Sequence, residues 1–208
     1  EGNQAWPPSG LIKGGAIYAQ ASTVIVAGST LRNNIAPAGG AIALNPGILE
    51  VHSSTIENNH AFLQGGGISV HPFFYSGVNS LILIRRSSIL NNTSDGDGGG
   101  IFANLTDVSS SHAEAFRMDD TTVLGNMAAD DGGGLHLSEG ELTRVTISAN
   151  TASGLGGGVF TWTSPPLRFK NTTISGNTAP NGSALYAQSG SFILNYSTIA
   201  ENLGGRGN

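Results

Sequence analysis

The chain has 208 residues, a net charge of −5 and no cysteine, which excludes disulfides, thiolate metal sites and cysteine nucleophiles. Its nine lysines and arginines form no block longer than Arg85-Arg86, so no basic stripe for nucleic acid runs along the sequence, and no apolar run is long enough for a membrane-spanning helix. Charged residues are only 11% and glycines number 31, yet 38% of the residues are hydrophobic, enough to bury a core.

Residues 1–13 read as an N-terminal extension or cap, with Trp6 and Leu11 as a thin lid. From residue 14 to 208 the chain repeats. Gly-Gly-small-aliphatic opens a unit at residues 14–17 and returns at 39–42, 65–68, 98–101, 132–135 and 156–159, with the variant GSAL at 182–185. Between these comes Ser/Thr-aliphatic-x-x-Asn, as TLRNN, TIENN, SILNN, TVLGN, TISAN, TISGN and TIAEN. Its asparagines form one column: Asn34, Asn59, Asn92, Asn126, Asn150, Asn177 and Asn202. The arc from this motif to the next Gly-Gly unit is constant in length. The return arc is lengthened between Ile68 and Ile89 and between Ile101 and Val123, so insertions leave one region of a regular wall.

Upstream of each Thr-aliphatic motif the residues alternate, as in Leu49/Val51, Ile82/Ile84, Phe116/Met118 and Leu167/Phe169, with mostly polar residues between. A period of two means a strand with one buried face, and helical spacing persists nowhere. Units of about 25 residues with three short strands predict an all-β fold. The expected form is a right-handed, single-stranded parallel β-helix of about seven coils, the hand following from the preference of parallel connections. An amide inside a turn can donate to and accept from the amides above and below, so the Asn column is expected to be an internal, stabilising ladder. The chain ends shortly after an Asn position, and the expectation is that the array forms part of a longer one.

The paired GGA/GGG-aliphatic and x-x-Asn motifs over residues 14–202 resemble the repeats of chlamydial-type polymorphic outer-membrane proteins and related bacterial β-helix surface proteins. That family commonly has Phe three residues before the Asn, where this chain has Leu31, Ile56, Ile89, Val123, Ile147, Ile174 and Ile199. The resemblance implies an extracellular or cell-surface location.

Several features are candidates for chemistry. Asp97 and Asp131 share a column on adjacent coils; stacked carboxylates bind Ca²⁺ through oxygen or act on glycosides, while Asp in Gly-rich turns also serves local hydrogen bonding. No other cofactor is expected. Arg117, Glu141 and Arg168 share a wet column, as do Arg85 and Asp119; a lyase needs a basic residue flanked by carboxylates, whereas cross-strand charge pairing needs no ligand. Tyr18, Phe102, His136, Phe160 and Tyr186 form an outward column suited to sugar stacking or a partner protein, or to packing beneath a loop. The longer loops bring Phe73, Phe74 and Tyr75 together, and His112 with Glu114. Asn91, Asn104, Asn171, Asn181 and Asn195 head Asn-x-Ser/Thr sequons, which are glycan acceptors in a eukaryotic secreted protein.

Two functions remain in view. The first is a secreted or cell-surface structural and adhesive segment (stalk, passenger or filament element) that binds cell-surface proteins or glycans, its last coil stacking on further coils, on another subunit end to end or on a separate domain. The second is a polysaccharide lyase or glycoside hydrolase of the pectate-lyase-like β-helix type.

Overall fold

A computed structural model describes residues 2–5, 13–71, 80–105, 115–163 and 166–204. Phe73, Phe74, Tyr75, His112, Glu114, Trp6 and Leu11 lie outside the described residues.

The first coil consists of β1 (Ile17–Ala27), β2 (Thr30–Arg32) and β3 (Ile35–Ala38), and the second opens with β4 (Ile42–His52). Every pairing between named strands is parallel, one coil upon the next. The strands equivalent to β2 form one seven-stranded sheet, those equivalent to β3 a second, and β1 and β4 belong to a twelve-stranded third. After β4 the third wall splits. Its counterpart becomes Ile68–Val70 plus Leu81–Arg85, then Ile101–Ala103 plus Phe116–Asp119, and so on through seven coils. The lengthened arcs of the sequence therefore leave at the split, where no ladder is interrupted. The chain is an all-β parallel β-helix.

The core is built from columns of equivalent side chains. Ile56, Ile89, Val123, Ile147 and Ile174 pair in register and are fully buried. Each such side chain contributes roughly 1.5–3 kcal/mol of burial. One core column is broken by Gly140, and the ring of the preceding coil's Phe116 occupies the gap: a Cβ on Gly140 would lie 2.9 Å from that ring.

Three corners per coil turn the chain, and each uses left-handed backbone. One column holds Asn33, Asn58, Asn91, Gly125, Ala149, Gly176 and Glu201; a second holds Gly28, Ser53, Arg86, Asp120, Arg144, Asn171 and Tyr196. Only the third, Gly39, Gly65, Gly98, Gly132, Gly156 and Gly182, is all glycine. The difference is steric. A Cβ at Gly39 would lie 2.0 Å from the Ile42 carbonyl oxygen, whereas a Cβ at Gly28 meets nothing within 4 Å. Two corners thus accept side chains at the modest cost of left-handed backbone, and the third cannot.

Candidate functional site

The asparagine column is a continuous ladder. The Oδ1 atom of Asn126 accepts from the backbone N–H and Nδ2 of Asn92, at 2.9 and 3.0 Å. Its own Nδ2 donates to Asn150 Oδ1 and to the Ile89 carbonyl, at 2.9 and 3.0 Å. The same pattern runs from Asn34 to Asn202. Asn3 adds a rung that motif reading missed, donating from backbone N–H and Nδ2 to Asn34 Oδ1 at 3.2 and 3.1 Å. Asn3 therefore joins the ladder. Its only sequence signal is Gly2-Asn3, which matches Gly125-Asn126 and Gly176-Asn177.

A second ladder escaped the sequence reading altogether. The hydroxyls of Ser54, Ser87, Thr121 and Ser197 accept the backbone N–H of Ser29, Ser54, Ser87 and Thr172, each on the coil before. Each hydroxyl also donates to the carbonyl two residues back, as from Ser54 to His52 at 2.7 Å. The signal was the doubled hydroxyl in Ser54-Thr55, Ser87-Ser88 and Thr121-Thr122. Val145 interrupts the column, buried in place of a hydroxyl.

Asp97 and Asp131 bind backbone. Asp97 Oδ1 accepts the Asp131 N–H at 3.1 Å, and Asp131 Oδ1 accepts the Leu155 N–H at 2.7 Å. Burial opposes ionisation of Asp97, but the His136 imidazole 3.5 Å away, the Asp131 N–H and Gln64 outweigh it and hold its carboxyl below the usual range. Burial raises the Asp131 carboxyl, reinforced by the charges of Asp97 and Asp130 and opposed by the Leu155 N–H and His136. Among the described residues no group of three or more His, Asp or Glu side chains converges as a metal cage. Asp131→Ala should therefore cost about 1 kcal/mol by orphaning the Leu155 N–H, and Asp131→Asn, which keeps an acceptor, should cost less. Thermal melts with and without chelator check this. A chelator-dependent melting temperature that Asp131→Asn abolishes would instead assign Ca²⁺ to the pair.

The aromatic column is covered at its centre. Phe102, His136 and Phe160 are 5%, 6% and 3% exposed, while Tyr18 at one end is 46% exposed and Tyr186 at the other is half-buried. His71 stacks on Phe102 at 4.9 Å, and Trp162 meets His136 edge-on at 4.4 Å. Solvent reaches ring faces only near the two ends, so the column is not an open platform along its length.

His71 carries a pH dependence. Burial lowers its pKa from 6.5 to about 4, because the imidazolium is poorly solvated against Phe102. Between these values the unfolded chain binds the extra proton, so stability falls as pH drops from 6.5 towards 4. Denaturant unfolding at pH 7 and pH 4.5 should differ by about 2–3 kcal/mol from this residue, and His71→Phe should flatten that difference. An unchanged pH slope in the variant would refute the assignment.

The charge columns lie on the outer face of the third wall. Arg117 pairs in register with Glu141, and Glu141 with Arg168. Arg85 Nε is 3.6 Å from Asp119 Oδ2, and Arg144 Nη2 donates to Asp120 Oδ2 at 2.9 Å. That contact holds the Asp120 carboxyl below its usual range. Of the sequon asparagines, Asn91, Asn171, Asn181 and Asn195 are exposed and Asn104 is half-buried.

Stacked coils, internal amide rungs and wall insertions define a parallel β-helix of short repeats. Residues 86–104, which span the third x-x-Asn motif and the following GGGI, match the Chlamydia polymorphic membrane protein repeat. The coils are thus similar to the repeat of those membrane proteins. No curated protein and no solved structure matches the chain.

Proposed function

We propose that the chain is a secreted or cell-surface structural and adhesive segment, a rigid shaft that presents side-chain arrays to proteins or glycans outside the cell. The carrying observation is the unbroken amide ladder through seven coils, one of them matched by a membrane-protein repeat. Such a shaft holds its shape without disulfides, while insertions at the wall vary what it displays. No helix among the described residues is long and apolar enough to cross a membrane. Protease treatment of intact source cells should release peptides of this chain; release only after lysis would overturn the surface reading. The lyase reading predicts turnover on uronic-acid polymers, with or without Ca²⁺. We expect none, and any unsaturated product would replace the structural role with catalysis.

The last coil supports end-to-end contact. Ile199 and Leu194 are 47% and 40% exposed, while their counterparts Ile174 and Phe169 one coil earlier are fully buried. An open cavity of about 570 Å³ is lined there by Leu185, Ile199 and Asn202 among others. Further coils, a separate domain or a second copy stacked head to tail would bury this ring, and a head-to-tail contact along an axis does not close. Light scattering should show mass rising with concentration, and Ile199→Asp should abolish the rise. A constant monomer mass would refute the self-contact and assign the cover to further coils or a separate domain.

A further inference from the structure

Coil stacking gathers cations that are scattered in the sequence. Six of the nine lysines and arginines, Arg85, Arg86, Arg117, Arg144, Arg168 and Lys170, lie on the outer strand positions and adjoining corner of the third wall in coils three to six. Three carboxylates stand among them, Asp119, Asp120 and Glu141. The face therefore carries six minus three, or +3, and the rest of the chain three minus eleven, or −8, which sums to the net −5.

Contacts consume only part of this charge. Arg85 leans on Asp119 and Arg144 on Asp120, while Arg168 and Lys170 stand exposed on one strand. Along the axis the columns alternate: Arg117, Glu141, Arg168 in one, Arg85, Asp119, Thr143, Lys170 in the next. Steps along a column are one strand spacing, about 4.8 Å, comparable with the rise of one sugar ring in an extended polysaccharide. At the end of the corner column, after Arg144 and Asn171, stands Tyr196, 88% exposed and held outward by left-handed backbone.

We propose that this face binds a linear uronic-acid polysaccharide, its carboxylates on the arginines and lysine, its hydroxyls on Asp119 and Glu141, and one ring against Tyr196. The mixture of signs selects the polymer. A densely charged chain such as nucleic acid or a heavily sulfated glycan would be repelled by the three interleaved carboxylates, whereas a uronate polymer alternates acidic groups with hydroxyl donors that carboxylates accept. An acidic peptide has the charge but offers no ring for Tyr196 to stack against and few hydroxyls. The assignment names the glycan partner of the adhesive reading and rests on it for biological meaning, though binding is measured on the isolated chain.

The full chain is tested by biolayer interferometry on immobilised polygalacturonate, a heavily sulfated glycan, poly-glutamate and neutral dextran. Polygalacturonate should bind best, and the affinity should fall steeply with salt. Arg168→Gln with Lys170→Gln should weaken it about tenfold, the sum of two exposed ionic contacts. Tyr196→Ala should weaken polygalacturonate but leave any residual poly-glutamate binding unchanged, and Arg32→Gln, on a different wall, should change neither. Equal binding to poly-glutamate or stronger binding to the sulfated glycan would overturn the proposal, as would indifference to the double variant in a chain with unchanged circular dichroism. Such failure leaves the cell-surface reading intact, since protease release from intact cells tests that separately.

Discussion

Gly99→Ala should lose more than about 3 kcal/mol of stability. The added Cβ would lie 2.3 Å from the Gly133 carbonyl oxygen and 2.4 Å from the Met127 carbonyl carbon. Both are backbone atoms, so no rotamer change relieves the overlap. The neighbouring coils must separate, which breaks rungs such as Gly99 N–H to Gly132 O at 3.1 Å. Gly125→Ala provides the contrast. Gly125 has φ of +67°, but its Cβ would meet only the movable Asn91 side chain, and Ala149 already occupies the equivalent corner at +52°. That change should cost about 1 kcal/mol. Urea midpoints of the two variants measure the difference. Similar losses at both positions would show that close coil approach is not what the Gly-Gly motif serves.

Asn126→Ala should cost about 3–4 kcal/mol, because the truncation orphans several groups at once. Asn92 loses the acceptor of its backbone N–H and its Nδ2, and the Ile89 carbonyl loses its donor. All of this happens where Asn92 and Asn126 are at most 1% exposed, so water does not step in. Asn126→Asp should be no better at neutral pH, since a carboxylate would face the Ile89 carbonyl and Asn150 Oδ1, both acceptors. Asn202→Ala should lose only about 1 kcal/mol, because that rung is half-buried and hydration substitutes. Equal effects at Asn126 and Asn202 in calorimetry would refute a cooperative internal ladder.

The fold was legible because a solenoid writes its contacts into its period. Once Ile56, Ile89 and Val123 were aligned, their stacking followed, and the lengthened arcs marked where the third wall splits. The corner that holds Ser53, Arg86 and Tyr196 was invisible for a steric reason. Where a Cβ meets open space, left-handed backbone accepts Ser53, Arg86 or Tyr196 alike, and no residue type announces the turn. For the aromatic column, alternation says only which side of a strand a residue takes. It does not reveal that His71 and Trp162 would stack against the central rings. The cation face was hidden because its members are up to 85 residues apart in sequence and meet only through coil pairing.

The amide rungs also give the rod a direction. From Asn34 to Asn202 each Oδ1 receives from the coil before it, and from Asn3 to Asn177 each Nδ2 gives to the coil after it. A coil inserted upside down would set acceptor against acceptor, so lineages of such a chain can gain or lose length only in whole turns of one orientation. Each turn changes the length by one strand spacing, about 4.8 Å, and leaves the neighbouring rungs unaltered. The molecule is in this sense a ruler with fixed graduations, whose reach is set by counting repeats and whose graduations are asparagines.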